Sequence, residues 1–534
     1  IDDGREEQDL QALQFEECVR QAREFWSGEA RQGAQIQTPN AHLNALHVMH
    51  PLHVRVTDFA MPSNNRLINT SVGSSTYGNF VNESCMIIED LDQRGLHDEA
   101  RRRIEVWLEY QGTVGLKGQF SDYEGVFLGA GGFESGFHYC QHHGWALWII
   151  ARHYFLTGDG EWLQRVADQL IAGVDWVFRQ RSQTLKILPH SRGWERGFLP
   201  AGGLEDVGDY WYWLSTNALT WRGCDSAAAA LEVVGHPQAG RIRAGSDAYK
   251  LDLLRGFETM RCLAPLVRLR DGRWIPHYPS RLYCRGRDSG WIRETLEGSI
   301  YLLISGLYAP HSQQAGWILD DYQDNRYLDP PFGYALDMPE QTWFDRGGLS
   351  IQPNLLAGLI PHLDRDEIEV FLWMFFNCWS ACYREEITAM VEHPFPLLGF
   401  SNSAHFKTSD EANAIMWLRC MFVYAPAEVL HIGKAIPRDW LRAGRKIAAD
   451  EIVTRFGKVS VAYESAADRG RIQVTLRLDL RSTPKQTLVR FRHPSRAPLQ
   501  SVTVNGKPHP AFQSESGDVD VTGLKGELLV QAEY

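Results

Sequence analysis

The sequence predicts a mainly α-helical protein, with about six helical hairpins followed by a small C-terminal β-sandwich-like domain. Three observations carry this. From about residue 10 to 425 the apolar residues recur at helical spacing, in segments broken by Gly, Pro and Asn. Consecutive segments pair, and the connections between pairs are long. After IPRDWL at 436–441 the apolar period changes from that of a helix to that of a strand.

In chain order, the pairs are 11–33 with 40–50, 79–94 with 97–112, the two halves of 145–181, 213–234 with 237–264, 291–304 with 350–360, and 365–387 with 409–424. The third is the clearest hairpin, because its turn TGDGE places the helix breakers in the middle. No exact repeat is present. Residues 1–442 form the helical domain in this reading and 443–534 the β domain. In RIQVTLRLDL, Ile472, Val474, Leu476, Leu478 and Leu480 alternate with polar neighbours, as in a half-buried strand. Asn505-Gly506, after Val502 and Val504, marks a hairpin turn.

Length and charge bound the function. A chain of 534 residues carries two to four domains by length alone. Lys and Arg number 54 against 66 Asp and Glu, and the net charge of −12 argues against nucleic acid and against an anionic membrane surface. No run reaches eighteen uninterrupted apolar residues, so no transmembrane helix is expected. Nine cysteines, most within apolar runs, read as small buried hydrophobes. The 18 tryptophans suit sugar faces as well as cores. The start, IDDGREEQDL, has neither Met nor an apolar leader and reads as a processed or truncated end. A secreted or periplasmic location is preferred over a cytoplasmic one.

The long connections hold the chemistry. GGLEDVGDYWYWLS at 202–215 crowds Glu205, Asp206 and Asp209 against four aromatics. Like charge and lost hydration both disfavour ionised carboxylates, so one of the three is expected to keep a proton. The plainer reading is that Asp206 or Asp209 starts the following helix. In CYREEITAMVEHPFPLLGF, Glu385 and Glu386 lie near a helix C-terminus, where the dipole disfavours them, and Glu392 follows in the loop. For Glu385 a solvated pairing with Arg384 is the preferred reading. Thr408 and Glu411 have the spacing of a capping box.

In RGRDSGWIRETLEGS, Asp288 and Trp291 are candidates to bind substrate, while Arg293 and Glu297 have the spacing of a helical ion pair. GGFESGFHYCQHHGW offers Glu134, His138 and His142, the two histidines on one helix face, better suited to sugar hydroxyls than to zinc. Tyr77, Asn79, Trp145 and Trp211 complete the expected sugar subsite. No metal and no cofactor are expected. Neither GxSxG nor a P-loop is present.

Taken together, GWALWIIARHYFLTGDGEWL, GDYWYWLS, and IPRDWL followed by SVTVNGK resemble the six-hairpin glycosidases, a group that includes α-L-rhamnosidases and glucoamylase-like enzymes. The resemblance spans about residues 10 to 534. It implies an (α/α)6 barrel with two carboxylates at its mouth, a carbohydrate partner, and hydrolysis that usually inverts the anomeric centre. Asp206, Gly208 and Asp209 look like the family's Asp and Gly-Asp-Trp step, with Tyr210 intruding before Trp211. The family's base comes from a late hairpin, where Glu386 and Glu392 stand. A leading β-sandwich, common in the group, is absent from this sequence.

The expectation is therefore an inverting, exo-acting glycoside hydrolase whose acid is Asp209 or Asp206 and whose base is Glu386. A polysaccharide lyase, with His138, Tyr139, His142 and Arg192 serving the elimination, is the nearest rival. A glycoside phosphorylase and a non-catalytic carbohydrate-binding protein are the others.

Overall fold

A computed structural model describes residues 14–74, 77–136, 138–186, 191–288, 292–327, 358–391, 394–395, 400–401 and 407–534. Its helices run in antiparallel pairs as the periodicity predicts. The first four pairs are α1 (Phe15–Glu29) with α2 (Ala41–Thr57), α3 (Val81–Gln93) with α4 (His97–Glu109), α5 (His142–Thr157) with α6 (Gly160–Thr184), and α7 (Leu214–Val233) with α8 (Ala239–Leu263). Five more follow: α9 (Tyr301–Ile304), α10 (Gln313–Asp321), α11 (Leu359–Asp364), α12 (Ile368–Cys382) and α13 (Thr408–Phe422).

The α5–α6 turn shows how sequence sets the architecture. Gly158 ends α5 at φ 73, and the Asp159 side chain caps α6 by accepting from the Trp162 N–H at 2.8 Å. Helix α5 is apolar almost all round and buries most of its length, so it lies inside; α6 buries only one stripe and lies outside. The inner helices touch in turn: α3 packs on α5, α5 on α7, α7 on α9, and α13 returns to α3. The α5–α7 approach depends on two glycines. A Cβ on Gly144 would stand 2.6 Å from the Thr220 Cα, and one on Gly223 would stand 2.5 Å from the Gly144 carbonyl oxygen. Gly144→Ala is expected to cost about 1–3 kcal/mol by overpacking, read as a lower urea midpoint.

The fifth pair departs from expectation. Ile292–Leu296 forms a π-helical turn rather than the start of a long helix, and α9 is short. Residues 350–357 of its expected second helix lie outside the described residues.

Beyond α13 the chain is sheet. A seven-stranded sheet has the order 35–37, 446–454, 457–466, 471–480, 526–533, 501–504, 507–508, and a four-stranded sheet has the order 423–424, 429–432, 486–490, 518–520. Ile472, Val474, Leu476 and Leu478 are buried as their alternation predicts, and Asn505-Gly506 turns its hairpin with both residues at positive φ. Strand 446–454 packs on α3 and α13, which seats the sheets against the helical region. Seven of the nine cysteines are buried.

A buried polar network ties α2, α3 and α13. Glu411 accepts from the His50 and His53 rings at 3.0 and 2.9 Å, so it faces the core instead of closing a capping box. Asp90 takes Arg94 at 2.7 Å and Arg419 at 2.5 Å.

Candidate active site

The N-terminal ends of α3, α7 and α13, the loop before α5 and the turn before α9 converge on one group of carboxyls. Glu205 stands at the tip of a tight hairpin, Gly202–Leu204 with Val207–Trp211, at φ 43. A side-chain-bearing residue holds this left-handed conformation only where its surroundings impose it. Here they do. A Cβ on Gly203 would lie 2.8 Å from the His138 carbonyl oxygen, and the Trp213 indole N–H donates to the Gly202 carbonyl at 2.8 Å. The two glycines let the hairpin lie flat on residues 138–140, which fixes the direction in which Glu205 points.

That direction is inward. Glu205 is 6% exposed and its carboxyl lies against that of Glu297, which is 1% exposed. Burial, then the neighbouring Glu297 carboxyl, pushes the Glu205 carboxyl well above the usual range. Burial raises Glu297 as well, opposed by contacts with Glu205, Ser215 and Tyr301. Two carboxyls this close and this dry disfavour the doubly ionised pair.

Asp206 and Glu83 add negative charge nearby. The Tyr139 hydroxyl donates to Asp206 Oδ1 at 3.1 Å, and burial together with Glu205 and Asp206 keeps that phenol protonated. Glu83, in the first turn of α3, takes Lys407 Nζ at 3.1 Å and the Ser409 hydroxyl, both on Oε2. Lys407 also stands 3.8 Å from the centre of the Tyr77 ring. A carboxyl pair with raised values therefore stands beside a carboxylate paired with a lysine.

The other expected site residues divide in two. Asn79 is buried beside this group, accepting from Ser84 and donating to Asn69 at 2.9 Å each. His142 donates to Asn82 Oδ1 at 2.9 Å and stacks on Tyr139, and burial lowers its pKa to about 3, so the ring is neutral. His138 precedes α5 in a turn, so the two histidines do not share a helix face. Glu134 accepts from the backbone N–H groups of Ala130 and Gly132 and bridges to Asn79, holding the loop.

Asp209 lies in a strand, because α7 begins only at Leu214, and its half-exposed carboxylate pairs with Arg293 at 2.6 Å. Trp211 is 36% exposed, with the Arg281 guanidinium 4.0 Å from its ring centre. Asp288 accepts from Arg281 at 2.6 Å. Trp145 turns away from the carboxyl group to line a cavity deeper in the helices. Glu386 is exposed in the turn between Tyr383–Arg384 and Ala389–Met390. Glu392 and Trp291 lie outside the described residues.

Sequence spacing does not mark Glu83, Glu297 or Lys407 as site residues. Glu297 was visible only as the second member of an i,i+4 pair with Arg293. The π-helical turn breaks that spacing and sends Arg293 to Asp209 and Glu297 to Glu205. Among the described residues no group of His, Cys, Asp and Glu is arranged to hold a metal ion.

The upward shift of both carboxyls has a consequence for stability. Both folded-state values lie above the ordinary carboxylate value of 4.5, so above that pH the native protein binds more protons than the unfolded chain. Stability from this pair is expected to be full below about pH 4 and to fall as pH rises through the raised folded values. Denaturant midpoints measured from pH 4 to 9 check this. In a Glu205→Gln, Glu297→Gln double variant this fall should flatten.

No protein-family model matches the sequence, and no curated protein matches it. Among solved structures, the chain is similar to an α-L-rhamnosidase from Dictyoglumus thermophilum, with TM-score 0.53 and 9% identity over 94% of this chain and 50% of that one. It is also similar to a structure described as a sialidase, with TM-score 0.54 and 11% identity over 94% of this chain and 42% of that one. The chain thus spans half or less of these structures' length. The likeness is one of fold, of the six-hairpin glycosidase type that the sequence resembles.

Proposed function

We propose that the protein is a glycoside hydrolase, exo-acting and inverting, in which Glu205 donates the proton to the departing glycosidic oxygen. The observation that carries this is the dry Glu205–Glu297 pair on a clamped, left-handed turn. A general acid needs a carboxyl that keeps its proton near neutral pH, and burial beside a second carboxyl provides it. Of the three crowded acids at 205–209, Glu205 alone is buried, whereas Asp209 is committed to Arg293.

For the base we favour Glu83 over Glu386. Lys407 and Ser409 bind Glu83 through Oε2, and Oε1 is the oxygen that takes the proton of an attacking water. The water oxygen adds to the anomeric carbon as the glycosidic bond breaks, and the Glu205 proton passes to the leaving oxygen. Inversion requires the two carboxyls to stand roughly 6.5–9.5 Å apart. Tyr77, Tyr139 and Trp211 would receive the sugar. The succession of inner-helix contacts supports reading the helical region as an (α/α)6 barrel. The strand order supports reading the two sheets as a β-sandwich that draws strands 35–37, 423–424 and 429–432 from ahead of residue 443.

A β-elimination is less well served. The acids around Tyr139 disfavour its phenolate and would repel a uronate carboxylate. A panel of chromogenic glycosides, with reducing-sugar release from mixed polysaccharides, tests the reading. Release of a single sugar of inverted anomeric form is expected. No hydrolysis across the panel, or absorbance from a new C=C bond, would contradict it.

A further inference from the structure

A second feature lies deeper among the inner helices, away from the carboxyl group. Beyond Glu83 on α3 and His142 on α5, a cavity of about 340 Å³ opens between the helices and the end of strand 446–454. That volume is at the small end of ligand sites. Its wall carries four guanidiniums, Arg152, Arg222, Arg419 and Arg455, against two carboxyl groups, Glu89 and Asp364.

The excess charge is not neutralised internally. Arg152 donates to Glu89 at 2.9 Å, and Arg419 is held by Asp90. Asp364 accepts from the Tyr424 hydroxyl, and burial raises its carboxyl above the ordinary range. Arg222 and Arg455 have neither an ion pair nor a side-chain hydrogen bond among the described residues. Arg222 lies 4.3 Å from the Trp148 ring centre, and Arg455 lies 5.1 Å from that of Phe155. Ring faces compensate a guanidinium only in part, and none accepts its five N–H donors in the plane.

We propose that this cavity binds a small oxyanion-bearing ligand of about monosaccharide size, a sugar phosphate or a sugar acid. Its oxyanion meets Arg222 in the fork geometry that guanidinium offers to phosphate and carboxylate, and Arg455 completes the charge balance from the strand end. Trp145 and Tyr301 supply the flat surfaces for the ligand's body. Tyr301 also touches Glu297, so this cavity and the acid pair share a side chain. The proposal does not depend on hydrolysis.

Calorimetric titration of the full chain at low ionic strength, with glucose 6-phosphate and glucuronate in separate arms and glucose as the neutral comparison, tests it. At least one anion should bind saturably and more tightly than glucose, and the arm that binds tells phosphate from carboxylate. Arg222→Gln should weaken that binding at least tenfold and Arg455→Gln should weaken it measurably. If Arg222→Gln loses its circular-dichroism spectrum, Arg455→Gln at the strand end decides alone. Two inert anions, or wild-type affinity in the folded variants, would overturn the proposal.

Discussion

Replacing Glu205 by Gln is expected to lower kcat about 10²–10⁴-fold on a glycoside whose leaving group needs a proton. On an aryl glycoside with an acidic leaving group the loss should be much smaller, because departure of a stabilised phenolate asks little of the acid. Gln fills the same volume and can still donate to Glu297, so circular dichroism should be unchanged. Equal losses on both substrates would move Glu205 out of the acid's role. Asp209→Asn is a useful contrast. It removes a half-exposed carboxylate from Arg293, which also lies 3.8 Å from Asp288; a pair of this kind is worth about 0–1 kcal/mol, and kcat should stay within a few-fold.

The largest effect on stability is expected at Asp90. Burial alone would raise its carboxyl, but Arg94, Arg419 and His50 together hold it well below the usual carboxylate range. Asp90→Ala leaves two guanidiniums in the interior without their shared counter-ion. Breaking a buried pair by removing one partner costs about 3–5 kcal/mol. Urea unfolding of the variant should show a large fall in midpoint with an unchanged slope. A shift no larger than that of a surface substitution would mean that water or a neighbour already balances the arginines.

What could be read from the sequence was local. TGDGE punctuates a hairpin because Gly158 and Asp159 act on their own neighbours, and RIQVTLRLDL declares its strand by a period that needs no partner. The crowding of Glu205, Asp206 and Asp209 was likewise plain. What their spacing could not show is which carboxyl turns inward, because that is set by the left-handed backbone of Glu205 and by segment 138–140, to which the hairpin is pressed. Glu297 was misread for a local reason, since a π turn invalidates the spacing on which an i,i+4 pair rests. Glu83 and Lys407 meet only through tertiary structure. Glu83 sits in NES at the start of a helix, where an acid is ordinary, and nothing near it in the sequence announces a lysine from another hairpin.

Glu205 and Glu297 are expected to hold one proton between them at the pH of catalysis. A ¹³C NMR titration of the glutamate side-chain carboxyl carbons, comparing the wild type with Glu205→Gln, addresses it without any substrate. A pair of resonances that stay partly protonated through neutral pH is expected in the wild type; in the variant one is lost and the other titrates as a single site. Two glutamates that both ionise in the ordinary range near pH 4.5 would contradict it.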